Sequence, residues 1–286
     1  MANLEGDCGM TKACLVLGVA FLLSINGIEC NPLGTLLPSG ETIFDVMKYG
    51  AKANGRIDDG MAIIRAWNGA CNAKGPAKVL IPRGEYKAGE IVFAGPCTAQ
   101  RPITIEIQGN LLADTDLSAY TQGAWIMVER VDGVVITGGG TINGRGQSSW
   151  KFSPSTVSMK FELVTNTSMH NLNFMDSMGF HIKAIDSNDL SFSNLKITAP
   201  GNSPNTDGIH LSNSTNVNIA DSIIGTGGDC ISTNDDSKKI IVDRVTCSPG
   251  HGISVWSQGK LKDETNLKEV TVIGTTNVAR IKTDHP

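Results

Sequence analysis

The sequence predicts an all-β protein, a right-handed parallel β-helix with a short N-terminal capping helix, and three observations carry that prediction. Beyond about residue 94, short runs rich in β-branched residues are separated by Gly, Asn, Asp and Ser. The runs repeat. Ile182, Ile209, Ile231, Ile253 and Ile281 take the same place in successive segments, at intervals of 27, 22, 22 and 28 residues. Outside an apolar stretch near the start, only one segment has convincing helical periodicity. Strand units of this period cannot bury an apolar face alone, so they must stack as a solenoid. A β-sandwich is the rival architecture, but its hairpins would not require so regular a spacing.

Taken in order, residues 13–25 ("ACLVLGVAFLLSI") form an apolar run too short to cross a bilayer, with Lys12 before it and small or polar residues after it. This reads as a secretory signal peptide over residues 1–29, leaving residues 30–286 as the β-helix domain. Glu5 and Asp7 are unusual in a basic leader, so Met10 is a second candidate initiator. A strand and turn follow, then a helix capped by Asp58 or Asp59, with Ile63, Ile64, Trp67 and Cys71 on one face. "AKVLIPRGEYKAGEIVF" reads as two strands around Arg83-Gly84. The helix can close the N-terminal end of the solenoid. Nothing comparable follows "RIKTDHP", so the C-terminal end is expected to be truncated.

The chain has 286 residues, 40% of them apolar, enough for a substantial core. Its net charge of −4 argues against a nucleic-acid or anionic-membrane partner, each of which needs a basic face. Of seven cysteines, Cys8 and Cys14 leave with the signal and Cys30 sits near its cleavage point. The other four allow three connectivities, of which the simplest by proximity is Cys71 with Cys97 and Cys230 with Cys247. Asn166 and Asn213 begin glycosylation sequons. No His, Cys and Asp set has metal-ligand spacing, and no cofactor is expected.

Asp207 in "NTDGIH", Asp229 in "GGDCIS" and His251 in "GHGIS" each stand two residues before a repeated isoleucine. In a parallel β-helix they would stack on consecutive coils, roughly 4.8 Å apart. Arg280 and Lys282 flank Ile281 and would extend the strip with two cations. Each residue has an ordinary reading, because Asp and Asn are common in solenoid bends and His181 and His210 read as packing or turn residues. The joint register has no such reading: stacked carboxylates repel and destabilise a fold. Paired carboxylates point to glycoside hydrolysis, and adjacent cations to a negatively charged sugar.

The motifs "SPNTDGIH", "GTGGDCIS", "GHGIS" and "RIKT" resemble, in order and spacing, those of the polygalacturonases, glycoside hydrolases that cleave the homogalacturonan of pectin. "FDVMKYGAKANG", "VLIPRGEY" and "ELVTNTSMHNL" extend the likeness over residues 43–283, most like the plant, pollen-type exopolygalacturonases. The resemblance implies a secreted, monomeric cell-wall enzyme that works by inversion. It assigns Asp207 and Asp229 to water activation, His251 to support of the acid, and Arg280 with Lys282 to the galacturonate carboxylate. The family's general acid is an aspartate directly before the second of these, and here that position is Gly228. A disabled pectin-binding homologue is therefore the second reading. A calcium-dependent pectate lyase is the third.

Overall fold

In the computed structural model, residues 34–36, 40–152, 155–234, 236–257, 268–276 and 279–283 are described, with backbone alone at 34–36, 256–257, 268–269 and 279–283. The segment expected to be a signal peptide lies outside them. The chain forms a right-handed parallel β-helix. One sheet has sixteen strands and the other eight, and apart from the pairing of Gly34–Leu36 with Thr42–Asp45 the strand pairs are parallel. The larger sheet wraps two faces of the helix because Thr165–Met175 and Asn188–Thr198 bend in mid-strand, at Asn171 (φ 56°) and Asn194 (φ 50°).

The bends are stacked as regularly as the strands. Asn166, Asp189, Asn216 and Lys239 lie in one column by register, and all four are left-handed, with φ of 49°, 56°, 58° and 55°. Asn and Asp tolerate this region because their short polar side chains bond locally. Asn216 is bonded to Asp189 Oδ1 in the preceding coil, and Asn166 to Asp132 Oδ1 at 2.7 Å. Asn213, the other sequon residue, donates to Asp186 Oδ1 at 2.6 Å. Buried serines deal with another corner: Ser187, Ser214 and Ser237 accept from the backbone N–H groups of Val164, Ser187 and Ser214. Corner amides that no ladder could reach are thereby paired.

Inward positions build the core column by column. Ile182, Ile209, Ile231 and Ile253 stack directly and are fully buried. Each contributes about 1.5–3 kcal/mol through removal from water. The fifth repeated isoleucine does not follow. Ala279 pairs with Ile253, whereas Ile281 pairs with Val255. The longer interval before residue 281 conceals a two-residue offset in register.

The helix Gly60–Cys71 packs on the strands of the first coil. Ile63, Trp67 and Cys71 are buried with Ala62, Ala66 and Ala70, and Ile64 is half-buried at the margin. Trp67 meets Phe93 edge-on at 5.3 Å and donates to the Ala94 carbonyl. The two candidates share the capping: Asp59 holds the N-cap position without a side-chain cap bond, and Asp58 Oδ1, one residue upstream, accepts from Gly60 N at 2.7 Å. The Asp59 carboxylate turns inward and takes the Lys52 and Ala53 N–H groups instead. The stretch read as two strands forms three, Pro76–Ile81, Glu85–Ala88 and Ile91–Ala94, because the chain turns a second solenoid corner after Ala88.

Disulfides join Cys71 to Cys97 and Cys230 to Cys247. The second closes a loop with a sequence separation of 17 residues directly after Asp229. Replacing both Cys230 and Cys247 by Ala should lower the unfolding free energy by about 3 kcal/mol, the loop-closure value for that length. Urea unfolding checks this, and an unchanged midpoint would show that stacking alone holds the corner.

Candidate active site

Three consecutive coils bring Asp207, Asp229 and His251 to the same edge of the eight-stranded sheet, each just before its strand: Ile209–Ser212, Ile231–Thr233 and Ile253–Ser257. They line one cavity of about 370 Å³ together with Phe180, His210 and Ser232. Asp207 and Asp229 are both buried, with the Asp229 side chain 9% exposed, whereas the His251 side chain is 56% exposed. With the aspartates recessed beneath an exposed imidazole, the cavity is open to solvent on the His251 side.

The bend carrying Asp229 is held by the coil before it. Thr206 Oγ1 accepts from Gly227 N at 3.1 Å, and Asp207 Oδ1 accepts from Asp229 N at 3.0 Å. Asp207 Oδ2 accepts from Ser232 Oγ at 2.8 Å. Since Ser232 donates its only proton there, it accepts from His210 Nδ1, 2.8 Å away, which fixes the proton on that ring nitrogen. On the opposite side, His181 Nε2 accepts from Ser177 N, so Nδ1 donates to the Asp207 carbonyl at 3.0 Å. One aspartate is thus anchored by its carbonyl, through His181, and by its carboxylate, through Ser232 and His210.

Both anchoring imidazoles are neutral. Burial pushes the pKa of His181 down to about 4. Burial does the same to His210, also to about 4, with the Lys183 ammonium adding to the effect. His251 lies 3.5 Å from Asp229 Oδ1 through Nδ1, and its backbone N–H donates to the Gly228 carbonyl at 3.0 Å. The glycine before it is required: Gly250 has φ 129°, and a Cβ there would lie 2.8 Å from the Gly228 carbonyl.

At Gly228 a side chain would collide with its neighbour. A Cβ built on this residue runs into Asp207 Oδ1 and lies 2.8 Å from Asp207 N. The Asp207 carboxylate stands in the space that a side chain at 228 would need.

By register, Arg280 pairs with Ser254 and Lys282 with Trp256, so the expected flanking of an aligned isoleucine is corrected to flanking of Ile281 beside Val255. Their side chains, and the Trp256 ring, lie outside the described residues. Phe180 and Ser232 escaped the sequence reading, and His210 was expected only to pack or turn, yet all three line the cavity. His210 and Ser232 each directly follow a stacked isoleucine, and outward alternation after those positions was the signal that could have found them. Among the described residues no three His, Cys, Asp or Glu side chains gather as a metal site.

The fold and the cavity place this chain among the right-handed parallel β-helix proteins. The chain belongs to glycosyl hydrolases family 28, whose model matches residues 71–286. It is 39% identical to an exopolygalacturonase of Arabidopsis thaliana over 85% of this chain and 60% of that protein. With an exopolygalacturonase of Zea mays the identity is 41%, over 84% of this chain and 62% of that protein. The chain therefore spans about three fifths of the length of these curated relatives. An endo-xylogalacturonan hydrolase of Aspergillus tubingensis superposes with a TM-score of 0.72 at 27% identity, over 82% of this chain and 66% of that one. The exopolygalacturonase of Thermotoga maritima shares the fold, with a TM-score of 0.68 at 15% identity over 86% of this chain and 69% of that one.

Proposed function

We propose that this chain acts on the α-1,4-linked galacturonan of pectin, as a secreted, monomeric cell-wall protein derived from an inverting exo-acting hydrolase. The observation that carries this reading is the placement of Asp207 and Asp229, from adjacent coils, side by side in one cavity with His251 against Asp229. In an inverting reaction one carboxylic acid protonates the departing oxygen while carboxylate activates water on the opposite face of the sugar. Asp207 and Asp229 take the water side. His251 supports the acid position from across Asp229, and Arg280 with Lys282 meet the substrate carboxylate. Proton donation is what this chain lacks. Gly228 stands at the donor's position, so turnover is slow and binding is retained.

The carboxylate of Asp207, settled where a side chain at 228 would reach, favours the second reading of a homologue that binds pectin without cleaving it. Calorimetry with trigalacturonate, run beside reducing-end release from polygalacturonate, tests both. Micromolar to millimolar binding is expected, with hydrolysis that falls further on Asp207→Asn. No affinity for trigalacturonate would refute the substrate class. Rapid hydrolysis indifferent to Asp207→Asn would remove the site assignment, and binding with no hydrolysis at all would establish the second reading.

A further inference from the structure

The outward column of the eight-stranded sheet continues past the cavity. In register it runs Ser254, Ser232, His210, Lys183 and Lys160. Successive members are one strand apart, roughly 4.8 Å. Ser232 and His210 belong to the cavity lining, so Lys183 opens the next place along. Phe180 connects the two places: its ring stacks on His210 at 5.0 Å and 28°, and Lys183 Nζ lies 5.8 Å from its centre.

The two lysines differ in what satisfies them. Lys160 Nζ is 2.7 Å from Glu162 Oε2. No carboxylate comes within ion-pair distance of Lys183 among the described residues, although its side chain is half-buried. Burial, and then the ammonium of Lys160 beside it, lower its pKa, while Glu162, already paired with Lys160, opposes them from beyond ion-pair distance. An ammonium that is partly dehydrated and next to a like charge costs the fold free energy until an anion reaches it. A lysine that merely covers apolar surface extends its head into water instead.

We propose that Lys183, set on the face of Phe180, is the carboxylate-binding element of a subsite for the uronate one sugar away from the reacting bond. The inference rests on the galacturonan reading of the cavity and names the residue that reads the charge of the neighbouring sugar. A saccharide lying along the helix axis passes from His210 to Lys183 within one coil. There its carboxylate meets the ammonium beside the Phe180 ring. One coil further, Lys160 is already held by Glu162 and offers no equivalent charge.

The test is calorimetric binding of trigalacturonate and of its fully methyl-esterified form, which keeps the shape and loses the charge. Lys183→Gln should weaken the acid roughly tenfold or more, the range for a charge-assisted hydrogen bond, and leave the ester within about twofold. Lys183→Arg should restore most of the affinity for the acid. Equal weakening of acid and ester would mean that Lys183 only supports Phe180, and an unchanged acid affinity would remove the subsite; either overturns the proposal while leaving the galacturonan reading in place. If the natural chain binds neither oligomer, both fall together.

Discussion

Gly228→Asp is expected to raise galacturonan hydrolysis roughly 10²–10⁴-fold, the usual worth of a positioned general acid. On the proposed reading Asp207 and Asp229 both act on water, which leaves the departing oxygen without an acid. Without that proton the sugar must leave as an alkoxide. Restoring a carboxyl between Asp207 and Asp229 supplies the missing half of the reaction. The gain has a structural cost, because the new Cβ runs into Asp207 Oδ1 and lies 2.8 Å from Asp207 N. Asp207 must swing off the Asp229 amide, retaining its bond from Ser232. Overpacking of this kind costs about 1–3 kcal/mol.

Gly228→Ala separates the two effects. It brings the same collision with no carboxyl, so its melting temperature should fall as that of the aspartate variant does while its rate stays at the natural level or below. The readouts are reducing-end release from polygalacturonate and thermal unfolding of all three proteins. If the aspartate and alanine variants are equally slow, residue 228 is not the place from which a proton reaches the substrate. If the natural chain already matches the aspartate variant, the donor lies elsewhere in the groove.

What the sequence made legible depends on whether a residue's role follows from spacing or from contact. Asp207, Asp229 and His251 could be placed because a solenoid turns sequence interval into distance, and 22 residues is one coil there. The same ruler failed at Ile281, where an interval of 28 includes two residues that the pairing does not count as part of the coil. His181 and His210 look alike in sequence, each adjoining a stacked isoleucine. Only the fold shows one bonded to a backbone carbonyl and the other to Ser232. Gly228 is the clearest case. Its identity was readable as a missing donor, but the place of the Asp207 carboxylate against it is set by bonds to Asp229 N and Ser232, and no pattern encodes it. Asp58 and Asp59 show the same limit, since either side chain could cap the helix, and the Lys52 and Ala53 N–H groups draw the Asp59 carboxylate away.

Lowering the pH from 7 to 4 should destabilise the protein by about 3 kcal/mol for each of His181 and His210. Both have folded-state pKa values of about 4, depressed from the ordinary 6.5 mainly by burial. Below pH 6.5 the unfolded chain takes up two protons that the folded chain refuses, so acid favours unfolding. The stabilisation is complete above pH 6.5, is lost as the pH falls towards 4, and then levels off. Carboxylates held below their usual range, such as Glu106 and Asp114, lose their contribution only at lower pH. Asp176, raised by burial, opposes the trend in part. Urea midpoints measured at pH 7.5, 5.5 and 4 should therefore fall steeply across the histidine window. His210→Asn keeps a donor towards Ser232 and removes one titration, so it should reduce the slope by roughly half. A natural protein whose midpoint is flat between pH 6.5 and 4 would mean that water reaches both rings, and with them the two anchors of Asp207. A variant with the full slope would place the titration in other groups.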